Sequence, residues 1–516
     1  PWAGLPLVGR MTGDADDPEA PDPLVGSTLA SGRLPISSRI GAGGSGVVYA
    51  AFDRDRGCRV ALKTLPWLEG DAIYALKNEF RQLVDVQHPN LVRMFELFGD
   101  DERWFFTMEL IDGQPFDAWV RPEQLNLTRL RGALDQLVSA VSAIHAQGKL
   151  HRDLKPSNVL VTPEGRVVVL DFGLLIDSEL GGVGRTVPEF RIDGTPAYMS
   201  PEQAAGQPAT RASDCYAIGV MLFQALTGRL PFEGRPGAMI AAKQFRAAAS
   251  PATLQHDLPA DLVELCEQLL AREPAARPDV ANILERTQRA STPPRARSEP
   301  ATFPPLQGRE QPLGSLQRAF ALAESGTPSA LFITGESGSG KTALCDTFAR
   351  QLTERNAGVV LRARCYERES VPFKALDPLV DALGRHLRRL PQEEATAVLP
   401  REVFALAKLF PALERISLVA ALPGTSIADP LELRSRAFAA LGEWLARIRD
   451  LRPVLVYIDD LHWACAGSIA GLSQLLSDPQ LAPLLLVLTS RSSFDELREA
   501  ASRNPRLSLQ ELTLGP

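Results

Sequence analysis

The first residues that could do chemistry form a glycine-rich stretch. Gly41-Ala42-Gly43-Gly44-Ser45-Gly46-Val47-Val48 follows the pattern GxGxxGxV. Glycines let a strand–turn–strand close over phosphates, because no side chain blocks the approach of the backbone. Alone the pattern is weak. Val60-Ala61-Leu62-Lys63 follows it on a strand-like run. A lysine there can pair with the α- and β-phosphates of a nucleotide and needs a carboxylate to hold it. Glu79 is the candidate, on a helix expected from about Asp71 to Val86. Taken singly, Glu79 also reads as half of a surface Glu–Lys pair. His151-Arg152-Asp153-Leu154-Lys155-Pro156-Ser157-Asn158 and Asp171-Phe172-Gly173 complete the set. Asp153 would accept the proton of an attacking hydroxyl, and Asn158 and Asp171 would hold Mg²⁺. Lys155 would neutralise the migrating phosphoryl charge. Phosphoryl transfer needs mainly positioning and charge neutralisation, and these groups supply both.

A second phosphate site lies downstream. Gly335-Glu336-Ser337-Gly338-Ser339-Gly340-Lys341-Thr342 is a full Walker A pattern between a strand and a helix. Backbone N–H groups at the helix N-terminus would cradle phosphates. Lys341 would reach the β- and γ-phosphates, and Thr342 the Mg²⁺. Val454-Leu455-Val456-Tyr457-Ile458-Asp459-Asp460 reads as Walker B. Asp459 would hold the Mg²⁺ through water, and Asp460 could orient an attacking water.

The elements that position these groups fall into blocks. Residues 1–32 are rich in Pro, Gly and Asp and are expected to be a disordered lead-in. From Arg33 to about Arg289, strand signals such as Val47–Tyr49 and Arg59–Leu62 precede helical ones such as Leu134–Ile144. That order fits two lobes, about 33–110 and about 111–289. Residues 290–305 form a Pro-rich linker. Over 306–516, strands expected at Ala330–Thr334, Gly358–Ala363, Val454–Ile458 and Leu484–Thr489 alternate with helices. That alternation argues for a parallel α/β sheet covered on both faces.

Bulk composition excludes some classes. The 516 residues carry a formal net charge of −7, which argues against nucleic acid as the main partner. No apolar run approaches the length that spans a bilayer. The six cysteines form no CxxC pair, so reduced thiols in a cytoplasmic protein are the expectation.

The first set of motifs resembles the eukaryotic-like protein kinase family, in its bacterial branch, over about half of the chain. The fold implied is the α+β two-lobed protein kinase fold, followed here by an α/β P-loop NTPase domain. The resemblance places ATP against Ile40, Gly41, Gly43, Gly46, Val48, Ala61 and Lys63, with hinge backbone groups from Glu109 and Ile111. Met108 would gate the back pocket. Glu202 in Ser200-Pro201-Glu202 would pair with Arg277, and Asp214 would brace the catalytic loop. Gly194-Thr195-Pro196-Ala197-Tyr198-Met199, with Lys155, implies serine/threonine specificity, Thr195 bonding to Asp153 and Lys155. Arg152 suggests control by a phosphate on the following loop. Arg191 occupies the place where many relatives carry the phosphorylated threonine. Thr186 is the nearest upstream hydroxyl and Glu189 a stand-in anion, so activation is expected not to need a phosphate at 191.

The second set is similar to the STAND class of signalling ATPases of AAA type, over about 305–516. Gly308-Arg309-Glu310, Leu461-His462-Trp463 and Leu486-Val487-Leu488-Thr489-Ser490-Arg491 carry that likeness. Arg491 would read the γ-phosphate. Cys465 stands where close relatives usually have Asp, which leaves hydrolysis open but not binding. The domain is expected to be truncated at its C-terminus.

Together these imply a non-specific serine/threonine protein kinase using ATP and Mg²⁺, with a fused nucleotide-switch module. Its substrates would be proteins, itself included. No membrane role is implied, and oligomers could form through the STAND domain. The alternative is a signalling scaffold with weak kinase activity and nucleotide-dependent partner assembly.

Overall fold

The N-terminal sheet begins at strand β1 (Thr28–Leu29), paired to β2 (Leu34–Gly43), and continues through β3 (Gly46–Asp53) and β4 (Cys58–Thr64). Helix α1 (Gly70–Leu83), β5 (Met94–Gly99) and β6 (Trp104–Glu109) complete the lobe. The sheet order is β1-β2-β3-β4-β6-β5, antiparallel throughout. The computed structural model describes residues 22, 24–43, 46–65, 69–99, 103–170, 196–289, 309–421, 427 and 429–515. The lead-in expected over 1–32 therefore carries structure at Asp22 and from Leu24 on. A turn through Ala30, Ser31 and Gly32, all at positive φ, folds β1 back onto β2. The Tyr49 hydroxyl donates to Asp22 at 3.0 Å.

The second lobe is helical. Its central helix, Leu127–Ala146, starts where Asn126 accepts from the Arg129 N–H at 3.0 Å. Its apolar residues Leu134, Leu137, Val138, Val141 and Ile144 recur at helical spacing and are buried. They share one core with Phe80 of α1, Met108 of β6 and Val169, so both lobes close on the same apolar mass.

The C-terminal part holds a five-stranded parallel sheet. Its order is Val359–Arg364, Val454–Asp459, Leu485–Ser490, Ser329–Gly335, Ser508–Leu514. Buried runs such as VLVYID have no polar face because helices cover both sides. Alternate residues go to different cores: Val454, Val456 and Ile458 to one, Leu455 and Tyr457 to the other. The long helix expected along Leu433–Ile448 spans Pro430–Leu451, capped by Asp429 and buried through Ala437, Leu441, Trp444 and Ile448.

One strand belongs to the other half of the chain. Glu369–Ser370 adds to the N-terminal sheet as a parallel edge strand beside β5.

Candidate active site

β4 and α1 bring the first charges together. Lys63 Nζ donates to Glu79 Oε1 at 2.8 Å and to Oε2 at 3.0 Å. Both side chains are nearly inaccessible, at 1% and 6%. This is the buried member of the two readings open for Glu79, because Ile73, Leu76, Phe80 and Leu83 pack α1 onto the lobe and turn Glu79 inward. Ala61 on β4 lies opposite Met108 on β6, and Val48 on β3 opposite Lys63. Gly46 has φ 135°, and a Cβ there would lie 2.5 Å from the Thr64 carbonyl, so the turn between β2 and β3 needs glycine. Gly41 and Gly43 lie on β2 with Ile40, which is half exposed. Glu109 ends β6; its N–H donates to the Arg93 carbonyl at 2.9 Å and its carboxylate pairs with Arg166 at 2.6 Å. Ile111 follows it and packs against the shared core.

The second lobe contributes an acid and its holders. Asp153 Oδ2 accepts from Lys155 Nζ at 2.7 Å and from Asn158 Nδ2 at 3.1 Å. Asn158 Nδ2 also reaches the Asp153 carbonyl at 2.9 Å. Arg152, before the acid, has φ 68°. Such a conformation costs about 1–3 kcal/mol and must be imposed. Asp214 imposes it. Its buried carboxylate accepts from the His151 N–H at 2.9 Å, the Arg152 N–H at 2.8 Å and His145 Nε2 at 2.8 Å. Burial would raise the Asp214 pKa; the His145 bond, His151 and the Arg152 N–H outweigh it and hold it low. Asp171 and Thr195 lie outside the described residues, as do Thr186, Glu189 and Arg191. The residue before Asp171 is tied to the site: the Leu170 N–H donates to the Asn158 carbonyl at 2.7 Å.

Two supports lie behind the acid. Arg277 makes a two-pronged pair with Glu202, Nη1 to Oε1 at 2.7 Å and Nη2 to Oε2 at 2.8 Å. Lys243 is one that sequence reasoning missed. Its buried Nζ donates to the carbonyls of Pro196, Ala197 and Met199, each at 2.7 Å. Burial pushes its pKa down to about 7. Three carbonyls at once, however, suit only an ammonium with its three donors. A lysine on a helix reads as a solvated charge, so no local signal marked it. Lys243→Met strands three acceptors and is expected to cost about 1–3 kcal/mol in urea unfolding; a cost near zero would mean water replaces the ammonium.

The P-loop runs from strand Ser329–Gly335 to helix Lys341–Glu354, with Gly338 at φ 81° and Gly340 at φ 85°. Lys341 Nζ donates to the carbonyls of Gly335 at 2.7 Å and Glu336 at 2.8 Å. The Thr342 hydroxyl donates to Asp459 Oδ2 at 2.9 Å, and the Thr489 hydroxyl to Asp459 Oδ1 at 2.5 Å. The Asp460 N–H donates to Thr489 Oγ1 at 3.0 Å, with Asp460 itself at φ 57°. Arg491 is exposed one residue beyond strand Leu485–Ser490. Burial lowers the Lys341 pKa, and the nearby Arg491 charge lowers it further. Hydroxyl and carboxylate oxygens, the Thr342–Asp459 set and the Asn158 amide oxygen, are the hard donors Mg²⁺ prefers. Among the described residues no group of three or more His, Cys, Asp or Glu could hold a metal alone.

A curled antiparallel lobe on a helical lobe, with a Lys–Glu pair above an Asp–Lys–Asn group, defines a phosphotransferase of the protein kinase fold. The comparisons agree. The family model for the protein kinase domain matches residues 35–287, and that for the AAA ATPase domain matches 305–487. Serine/threonine-protein kinase PknA of Mycobacterium tuberculosis is 33% identical over 302 residues, covering 55% of this chain and 69% of that protein. Pkn1 of Myxococcus xanthus is 36% identical over 269 residues, covering 50% of this chain and 38% of that protein. PrkC of Bacillus subtilis is 31% identical over 267 residues, covering 51% and 41%. The chain belongs to the serine/threonine-protein kinase family, with an AAA-type ATPase domain fused after the kinase domain. It uses ATP and acts on proteins. No helix among the described residues is long and apolar enough to cross a membrane.

Proposed function

We propose that the chain transfers the γ-phosphate of MgATP to protein serine and threonine hydroxyls at Asp153, at a rate set by a nucleotide switch in the second domain. The observation that carries the reading is the pair of charge sets, Lys63–Glu79 and Asp153–Lys155–Asn158, anchored in one core shared by both lobes. Lys63, fixed by Glu79, holds the α- and β-phosphates. Asp153 accepts the hydroxyl proton while Lys155 offsets the charge on the migrating phosphoryl group. Asn158 and Asp171 would hold Mg²⁺, which would supply neutralisation of phosphate charge. Ile40, Val48 and Ala61 enclose the adenine, and Glu109 and Ile111 offer it backbone groups. Thr195 orients Asp153 and Lys155.

In the second domain Lys341 and Arg491 engage the phosphates, Gly335 and Gly340 shape the loop, and Thr342 with Asp459 would hold the second Mg²⁺. Asp460 orients water. The chain's units are 33–289 for the kinase and 306–516 for the STAND-type switch. A cytoplasmic location fits six free cysteines, and self-association would run through the switch domain.

The test is Lys341→Ala in the full chain. Nucleotide binding by the second domain should be lost, measured with a fluorescent ATP analogue in a Lys63→Ala background, which removes the phosphate-holding lysine of the kinase site. The rate of γ-phosphate transfer to a protein substrate should fall about fivefold or more, the low end of allosteric coupling. An unchanged rate, with lost binding, overturns the switch.

A further inference from the structure

The kinase lobe turns a second face of α1 away from its active site, and that face is covered by the ATPase domain. Lys77 and Arg81 lie one helical turn apart and are both buried, at 1% and 9%. Their partners lie 288 to 304 residues away. Lys77 Nζ donates to Asp377 at 2.9 Å and lies 2.9 Å from Asp381. Arg81 reaches Glu369 at 2.6 Å, Asp377 at 2.7 Å and Asp381 at 3.0 Å. Two cations thus face three buried carboxylates. Charges this deep persist only when each finds its partners, so the contact is specific rather than adhesive.

Backbone contacts extend the interface. Glu369–Ser370 adds to the edge of β5, and the Leu97 N–H donates to the Arg368 carbonyl at 2.9 Å. Adding a strand to an open edge satisfies groups that otherwise need water. At the start of α1, a Cβ on Gly70 would lie 2.7 Å from the Arg415 nitrogen and 2.9 Å from the Pro411 carbonyl. Only glycine allows that approach.

One residue spans from this interface to the second nucleotide site. Arg364 ends strand Val359–Arg364, next to Walker B. Its Nη2 lies 3.1 Å from Asp460, and its Nη1 donates to Asp85 at 2.8 Å, two residues past the end of α1. A single guanidinium therefore joins the acid beside the P-loop to the helix that carries Glu79.

We propose that the α1–β5 face of the kinase lobe is the docking surface for the chain's own ATPase domain, and that Arg364 reports the P-loop's nucleotide state to α1 through Asp460 and Asp85. This rests on the switch reading above and names its route. The bound phosphates and their cation change the charge around Asp460. Arg364 then redistributes between its two carboxylates, and α1 holds Glu79 against Lys63 more or less firmly. Linkage makes the effect reciprocal: nucleotide at the kinase site changes P-loop affinity by the same factor.

A mutant cycle in the full chain tests it. Kinase rates on a protein substrate are measured for wild type, Lys341→Ala, Arg364→Gln and the double variant. Asp85→Asn replaces Arg364→Gln in a parallel cycle, because it cuts the same route at an exposed position. Lys341→Ala should lower the wild-type rate about fivefold or more, yet change the rate less than about twofold in either background. If Lys341→Ala alone has no effect, the switch reading fails and takes this route with it. If Lys341→Ala acts equally in all three backgrounds, the switch stands and the Arg364 route is overturned. Loss of coupling in Arg364→Gln but not in Asp85→Asn also overturns it, since the effect then stays within the ATPase domain.

Discussion

Asp153→Ala will lower kcat for γ-phosphate transfer by about 10²–10⁴-fold, the range for a lost general base. Among the described residues the carboxylate is the only acid in its group, and it also fixes the others. Lys155 Nζ at 2.7 Å and Asn158 Nδ2 at 3.1 Å both donate to the same Oδ2. Removing it takes away the proton acceptor and one partner of the ammonium that faces the moving charge. The strained Arg152 and the Asp214 bonds stay in place, because backbone N–H groups make them. The loop should keep its shape, so KM for ATP should change little and thermal unfolding should match wild type. Radiolabel transfer from γ-labelled ATP gives the rate. A fall smaller than tenfold would place the base elsewhere. A wild-type rate already near that of the variant would favour the scaffold reading.

Breaking the Glu202–Arg277 pair will cost about 3–5 kcal/mol, the range for stranding one charge of a buried pair. The Arg277 side chain has 0% exposure and Glu202 has 6%. The Ser213 hydroxyl donates to Glu202 at 2.7 Å, and Arg277 also donates to the carbonyls of Ala271, Ala212 and Arg272. Arg277→Leu strands a carboxylate and three carbonyls together. Burial would raise the Glu202 pKa, but Arg277 and Ser213 hold it below the ordinary 4.5. A lowered folded-state value stabilises the fold above the unfolded pKa. That contribution is lost as pH falls through the folded value, so acid unfolding of the wild type should be steeper than that of Arg277→Leu. The Glu202→Leu, Arg277→Leu double variant should recover part of the loss. Urea unfolding measures each; a single-variant cost under about 1 kcal/mol would mean the pair is solvated in solution.

The motifs were legible because their geometry is local. HRDLKPSN spans eight residues, and its internal bonds, Lys155 and Asn158 to Asp153, join positions two and five apart. The parallel strands were readable because both faces are buried, which leaves continuous apolar runs. Their ends moved by a residue or so: the strand expected over Leu484–Thr489 runs Leu485–Ser490. The start of the fold was less readable. A Pro- and Asp-rich segment carries no periodicity, and β1 is held instead by pairing with Leu34 and Pro35. Lys243 was hidden for a related reason, since its three carbonyls come from a loop more than forty residues upstream.

The sequence by itself determined the chemistry: two phosphate-binding sites, an acid with its lysine and asparagine, and a class of fold for each half. Motif residues sit close along the chain, so their types and spacing already specify the groups that meet. Only the tertiary structure decided how the halves face each other. No motif singles out Lys77 or Arg81, yet they are buried against carboxylates at 369, 377 and 381. Partners so far apart leave no mark in local pattern, because their encounter depends on how two folded surfaces pack. The first site was found from its own residues; the surface that covers α1 was visible only in the tertiary structure.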